Sequence, residues 1–284
     1  MTRSAGWTTL GLPLFLFYVI AFIVPQAIFL SSSLYLSAGR ATLGAGPTLA
    51  NFLAVLSDPY YLVGFRQSLL VAAGVAVIGL LLALPIAFFI VHGRSRWSFV
   101  VLLIIAGMLF SNAVIRTLGW RILLSSVGPI NATLLSLHLA TEPLPLIDNY
   151  TGVLIGLIHA LLPIYVIVLL PVVQTVPRNL ILASEGLGAS RWQTFRHVVF
   201  PLIRGGVIAA LVLSFANSIG AFTTPALLGG GRVVLLPILI RERVLLVLNW
   251  AVGATLATLM LVLVIGIVSL VAWRGWSRPA AGTG

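Results

Sequence analysis

Long apolar runs alternate with short polar interruptions along the whole chain. The runs fall at residues 10–30, 67–91, 98–112, 150–176, 202–219 and 252–273. A helix needs about 20 apolar residues to cross a bilayer. The pattern therefore predicts an all-α membrane protein with six transmembrane helices, built as one transmembrane domain over residues 1–284. Pro13 and Pro25 sit near the ends of the first run, where they disturb a helix least. A signal peptide competes for this run, with Arg3 as its charged start and Ser37 to Ala41 as the cleavage region. The run is longer than the 7–15 residues of a typical signal core, which favours a retained helix.

The interruptions differ in character. Ser31 to Arg66 reads as a polar loop with a short surface helix from Thr48 to Phe52 and a turn from Asp58 to Tyr61. His92 to Trp97 is a tight basic turn. The third run becomes polar from Ser111 to Arg116, and Ser125 to Asn149 is loop-like. Pro163 and Pro171 are expected to interrupt the fourth run, and Gly220 to Pro225 to break the fifth. Gly229 to Gly231 reads as a flexible turn.

The interruption with the clearest internal pattern runs from Pro177 to Pro201. Asn179 is expected to cap a helix from Leu180 to Leu187. Gly188 suits the left-handed position that ends a helix. Ser190 and Gln193 form an S-x-x-Q capping box that starts a second helix. Trp192, Phe195 and Val199 recur at spacings of three and four, which makes an apolar stripe with Arg191 and Arg196 off it. Pro201 fits the first turn of the following helix. A simple amphipathic surface helix would need neither the glycine break nor the double cap.

Composition narrows the function. The chain is 60% hydrophobic and 7% charged, against roughly 25% charged in soluble proteins. Every basic residue is arginine. Without lysine the chain cannot hold an ordinary Walker A site, so any ATP hydrolysis belongs to another subunit. Without cysteine, disulfides, thiol catalysis and cysteine-held metals are excluded. The four histidines, His92, His138, His159 and His197, are scattered, so no catalytic or metal-binding cluster is expected. The net charge of +11 is read as arginines at membrane edges rather than nucleic-acid binding. With both termini inside, the inner segments carry nine arginines and the longer outer segments seven. That density favours cytoplasmic termini.

The 177–201 stretch resembles the cytoplasmic EAA loop of ABC importer permeases. That pattern is E-A-A, three residues, G, nine residues, then I-x-L-P. Ala183 and Ser184 fall on the alanines, Gly188 on the glycine, Val198 and Phe200 on the isoleucine and leucine, and Pro201 on the proline. Leu182 stands at the glutamate position, with Glu185 three residues later. The likeness extends from about Asn51 to the sixth run and is closest to spermidine/putrescine and opine-type permeases. Asn112 to Arg116, Gly119–Trp120, Asn217 to Gly231 and Asn249–Trp250 carry it.

The resemblance implies a type I ABC importer permease in a bacterial inner membrane, a transport subunit and not an enzyme. Its implied partners are a second, paralogous permease, two ATPase subunits that bind ATP and magnesium, and a periplasmic binding protein. The chain itself is expected to bind no cofactor. The loop residues implied to engage the ATPase are Ala183, Ser184, Glu185, Gly188, Ser190, Trp192, Phe195, Arg196 and Pro201. Candidate pathway residues are Asn112, Arg116, Tyr165, Ser214, Phe215, Asn217, Phe222 and Thr223, with Thr224 beside them. Each has a competing role as a helix–helix contact. The expected solute is small and polar: a polyamine, an opine or a related amine or amino-acid-like compound. Alternatives are a phosphonate or ferric ion carried by the same machinery, or an ion-coupled secondary transporter. The latter would call for intramembrane carboxylates, and the predicted spans contain none.

Overall fold

The computed structural model describes residues 5–39, 42–93 and 95–276. Arg3, Arg40, Arg94 and Arg278, counted above for topology, lie outside the described residues. The chain opens with α1 (Ala5–Tyr18), a π-helical turn at Val19–Ile23 and α2 (Val24–Ser31). A small antiparallel pair follows, β1 (Ser37–Gly39) with β2 (Thr42–Leu43). Then come α3 (Ala50–Ser57), α4 (Pro59–His92), α5 (Arg96–Leu109), α6 (Ala113–Leu124) and α7 (Pro129–Ser136). The fourth run forms α8 (Tyr150–Gln174), followed by α9 (Arg178–Gly186) and α10 (Arg191–Thr194). A π-helical turn at Phe195–Val199 leads into α11 (Phe200–Ile219). The chain ends with α12 (Thr223–Leu228), α13 (Leu236–Arg241), a π-helical turn at Glu242–Leu246 and α14 (Trp250–Trp276).

Among the described residues, five continuous helices are long and apolar enough to cross a membrane: Leu12–Leu34, Pro59–His92, Tyr150–Gln174, Arg191–Ile219 and Trp250–Val271. A sixth span is counted only if α5 and the segment Ala113–Ser136 are taken as one span bent by 108°. Several expected boundaries move. The third run stops as a helix at Leu109 rather than at residue 112, because Asn112 turns extended and caps α6 instead. Pro163 and Pro171 do not interrupt α8, which is continuous. Prolines survive in apolar helices when neighbouring groups take up the freed carbonyls. The fifth span does not begin at residue 202: its helix starts at Arg191 and passes through the π turn. Residues 125–149 are not all loop, since α7 lies within them. The buried Asn131 holds that segment by donating to the Ser125 and Leu144 carbonyls and accepting from the Leu144 amide.

The chain divides into two compact units. The first comprises Met1–Phe65 and Ile238–Leu263. In it, the buried Asn51 donates to the carbonyls of Ser33 and Tyr35 at 2.9 and 2.8 Å, fixing α3 to the end of the first span. The Tyr60 hydroxyl donates to Glu242, and the Arg243 guanidinium lies 5.4 Å from the Tyr61 ring centre. The second unit comprises Arg66–Pro237 and Val264–Gly284. Its core brings together Leu80, Ala83, Tyr165, Leu169, Val173 and Ile203 from α4, α8 and α11. Gly79 lets α4 approach α8 closely, since a Cβ there would lie 2.6 Å from the Tyr165 ring. Both candidate regions described next belong to this unit.

Candidate functional site

The 177–201 stretch builds itself almost entirely from its own backbone. Thr175 closes α8, and Pro177, held at φ −68° and ψ 129°, starts α9. Asn179 is therefore not the cap: it lies inside α9, one residue past Arg178, because the extended Pro177 already ends the preceding turn. The C-terminus of α9 is a Schellman motif. Gly188 donates to the Glu185 carbonyl and Ala189 to the Ser184 carbonyl, with Gly188 at φ +86°. The capping box forms as expected: Gln193 N donates to Ser190 Oγ at 3.3 Å, and Ser190 N to Gln193 Oε1 at 2.8 Å. A contact the sequence did not reveal closes the bend. Ser184 Oγ and Thr194 Oγ1 lie 3.0 Å apart and tie α9 to α10.

One side of this bend faces the helix core. Val199 and Thr194 are buried, and Ile181 and Phe195 pack against the core. The Phe195 ring meets Phe88 of α4 at 6.4 Å and Phe200 at 6.2 Å. The other side is open. Leu182 is 55% exposed, Trp192 67% and Leu187 90%. Ala183, Glu185, Arg196 and Pro201 are exposed with them. A short bent platform carrying bare apolar side chains among arginines is shaped for contact with another protein.

The second region is the break between α5 and α6. Asn112 caps α6, its Oδ1 accepting from the amides of Val114 and Ile115. Arg116 Nη1 reaches back over the break and donates to the Met108 carbonyl at 3.1 Å. Thr117 Oγ1 lies 3.4 Å from Thr224 Oγ1 on α12. Arg121 donates to the Leu227 carbonyl and pairs with Asp148 at 3.5 Å. The Trp120 ring meets His159 of α8 edge-on at 5.3 Å.

This geometry can be set beside known proteins. Residues 7–275 match the family described as the binding-protein-dependent transport system inner membrane component. The chain belongs to this family. It is 31% identical over 227 residues to the spermidine/putrescine transport system permease protein PotB of Escherichia coli, covering 80% of this chain and 82% of that one. It is 27% identical over 169 residues to the molybdenum transport system permease protein ModB of Azotobacter vinelandii, covering 60% and 73%. Among solved structures, a bacterial ABC transporter that imports the acidic polysaccharide alginate aligns with a TM-score of 0.78. That match covers 98% of this chain and 97% of the other at 16% identity.

The protein is thus a multi-pass inner-membrane permease of the ABC importer type, with the 177–201 stretch as its EAA loop. The ion-coupled alternative falls away with this membership. The other expected pathway residues of the permease do not gather in one place. Tyr165 is fully buried and donates to the Val75 carbonyl at 2.9 Å, and Ser214 is buried too. Both side chains are enclosed between helices. Phe215 lines an apolar groove of about 260 Å³ with Ala73, Val77, Leu211 and Val268. Asn217 is exposed and donates to its own helix at Leu213, while Phe222 is exposed and Thr223 half-buried. Arg116, half-buried, and Asn112, exposed, are the two that lie together, at the break between α5 and α6. Trp120 lies one turn beyond Arg116 on α6 and meets His159; neither is among the expected pathway residues.

Proposed function

We propose that this permease imports a small amine or amino-acid-like solute delivered by a periplasmic binding protein, and that its EAA loop couples passage to a separate ATPase. The observation that supports coupling most is the exposed bend of α9 and α10. Its backbone groups are satisfied from within, while Leu187 and Trp192 are left bare. Seated in a cleft of the ATPase, that face would lose its exposure, and closure of the ATP-bound ATPase pair would drag α10 and the continuous fifth span with it. Only contacts that differ between the two states shift such an equilibrium. ATP and magnesium sit on the ATPase, and a paralogous second permease completes the pathway. The amine class follows the polyamine relative named above. Termini on the cytoplasmic side place the loop where the ATPase is.

The test is ATP-driven uptake in proteoliposomes holding the permease pair, the ATPase and the binding protein. Uptake must require both ATP and the binding protein. Uptake indifferent to either one overturns the proposal. Because the chain lacks cysteine, a single cysteine placed at Leu187 reports sidedness by labelling from the inner face alone.

A further inference from the structure

The charges of the second unit are out of balance in a specific place. All five acids of the chain, Asp58, Glu142, Asp148, Glu185 and Glu242, lie among the described residues, and none lies within a membrane-spanning segment. Asp148 is taken by Arg121, and Glu242 by Arg243 and Tyr60. Arg116 has no carboxylate partner among the described residues. One of its nitrogens donates to the Met108 carbonyl, and a guanidinium has five N–H donors to place. Arg116 is half-buried, so the remaining donors are reachable.

Its surroundings repeat the pattern. Trp120 lies one turn further along α6, and residues four apart share a helix face. That face meets α8, because the Trp120 ring packs on His159. Nδ1 of His159 is buried without a hydrogen-bond partner. A cation without its counter-ion and an imidazole nitrogen without its partner therefore share one face of the break. Either vacancy alone is costly in an apolar setting, and an oxyanion answers both. The guanidinium fork matches a carboxylate or phosphonate, and a neutral imidazole can donate from Nδ1. A polyammonium ion meets the opposite situation: a fixed positive charge, and no carboxylate in any span.

We infer that Arg116, His159 and Trp120 form a solute site for an oxyanion, so that the solute carries a carboxylate or phosphonate beside any amine. This rests on the importer reading above and narrows its solute to amino-acid-like compounds rather than simple polyamines.

The test uses the purified permease complex in nanodiscs, with tryptophan fluorescence read against three probes. Putrescine and 4-aminobutyrate have similar carbon skeletons, and only the latter bears a carboxylate; 2-aminoethylphosphonate supplies the other oxyanion. Saturable quenching by the two anion-bearing probes, lost in Trp120→Phe, is expected, with no response to putrescine. The lower apparent Kd of the two distinguishes carboxylate from phosphonate. Arg116→Gln should raise that Kd about tenfold, the usual loss when a charge-assisted pair is removed. Arg116→Lys disturbs the Met108 contact equally but keeps the charge, so it should raise Kd less. Equal effects of the two substitutions, or quenching by putrescine as strong as by 4-aminobutyrate, overturn the inference. Uptake by the same complex is scored separately. ATP-driven uptake with no anion-dependent quenching rejects the oxyanion site alone. Quenching with uptake that ignores ATP rejects the importer reading alone.

Discussion

The EAA loop and the α5–α6 break are both polar interruptions of apolar helices, and they are satisfied in opposite ways. The loop closes its polar groups on near neighbours: Gly188 to Glu185, Ser190 to Gln193, Ser184 to Thr194. What it leaves outside includes large apolar side chains, Leu187 and Trp192, standing bare among exposed charges. The break relies on distant partners: Arg121 on Leu227 and Trp120 on His159. What it leaves unanswered is the charge of Arg116. The residue each region cannot satisfy by itself indicates its visitor. Bare apolar surface suits a protein partner, and an unanswered charge suits a charged solute.

The strongest way to break this contrast is to deform the loop while sparing the helices. Gly188→Pro demands φ near −65° where the backbone stands at +86°. Trp192→Asp puts a charge on the bare face, where Trp192 is 67% exposed, and removes its stacking on Phe195 at 5.8 Å but no buried side chain. Both variants should insert and fold, as judged by detergent gel filtration and circular dichroism, yet lose uptake about tenfold or more while the ATPase continues to turn over; a contact-face substitution of about 1.4 kcal/mol suffices for such a factor. Unchanged uptake in both would show that the loop is not the contact.

Arg121→Gln strikes the other region. It removes a cationic donor from the Leu227 carbonyl and the ion pair with Asp148. The ion pair is half-exposed and contributes little. The carbonyl contact dominates, so the loss should be roughly 1.5–3 kcal/mol. It should appear as a lower Tm of the purified permease, with α6 and α12 exchanging amide hydrogens faster.

The same contrast explains what could be read in advance. Ser190 and Gln193 are three positions apart, and Gly188 precedes them, so chain spacing alone reports the double cap. The error at Asn179 is also local: two candidate starts compete, and the extended Pro177 wins. In the break, spacing misled. The apolar run ends at Asn112, yet that residue caps the next helix after a bend of 108°. The ring contact of His159 with Trp120 is equally silent in the sequence, because the two residues come from different helices. The burial of Tyr165 is not legible either: nothing near it in the chain announces Val75 as its acceptor.

A milder test asks whether the loop's cap matters once the bend is formed. Ser190→Ala deletes half of the capping box, worth about 1 kcal/mol in comparable helices. The Ser184–Thr194 contact and the Phe195 packing remain. Coupled uptake should therefore fall only a few-fold, with the ATPase still retained on purification. A loss as complete as that of Gly188→Pro would mean that the cap, rather than the left-handed turn, holds the bend.

The smallest effect belongs to Thr117→Val. Its hydroxyl is within reach of Thr224 at 3.4 Å but also donates to the Ala113 carbonyl at 2.7 Å. The shorter contact is intrahelical and outcompetes the longer one. Valine keeps the shape and removes the hydroxyl, so the loss should be near the ~0.6 kcal/mol typical of interhelical side-chain bonds in membranes. A cycle with Thr224→Val, read from denaturant unfolding, should give a coupling no larger than that. If so, α6 and α12 are held together by close packing and by Arg121. A coupling above about 2 kcal/mol would instead make the threonine pair the clasp of the break, and Arg121→Gln should then be the milder of the two lesions.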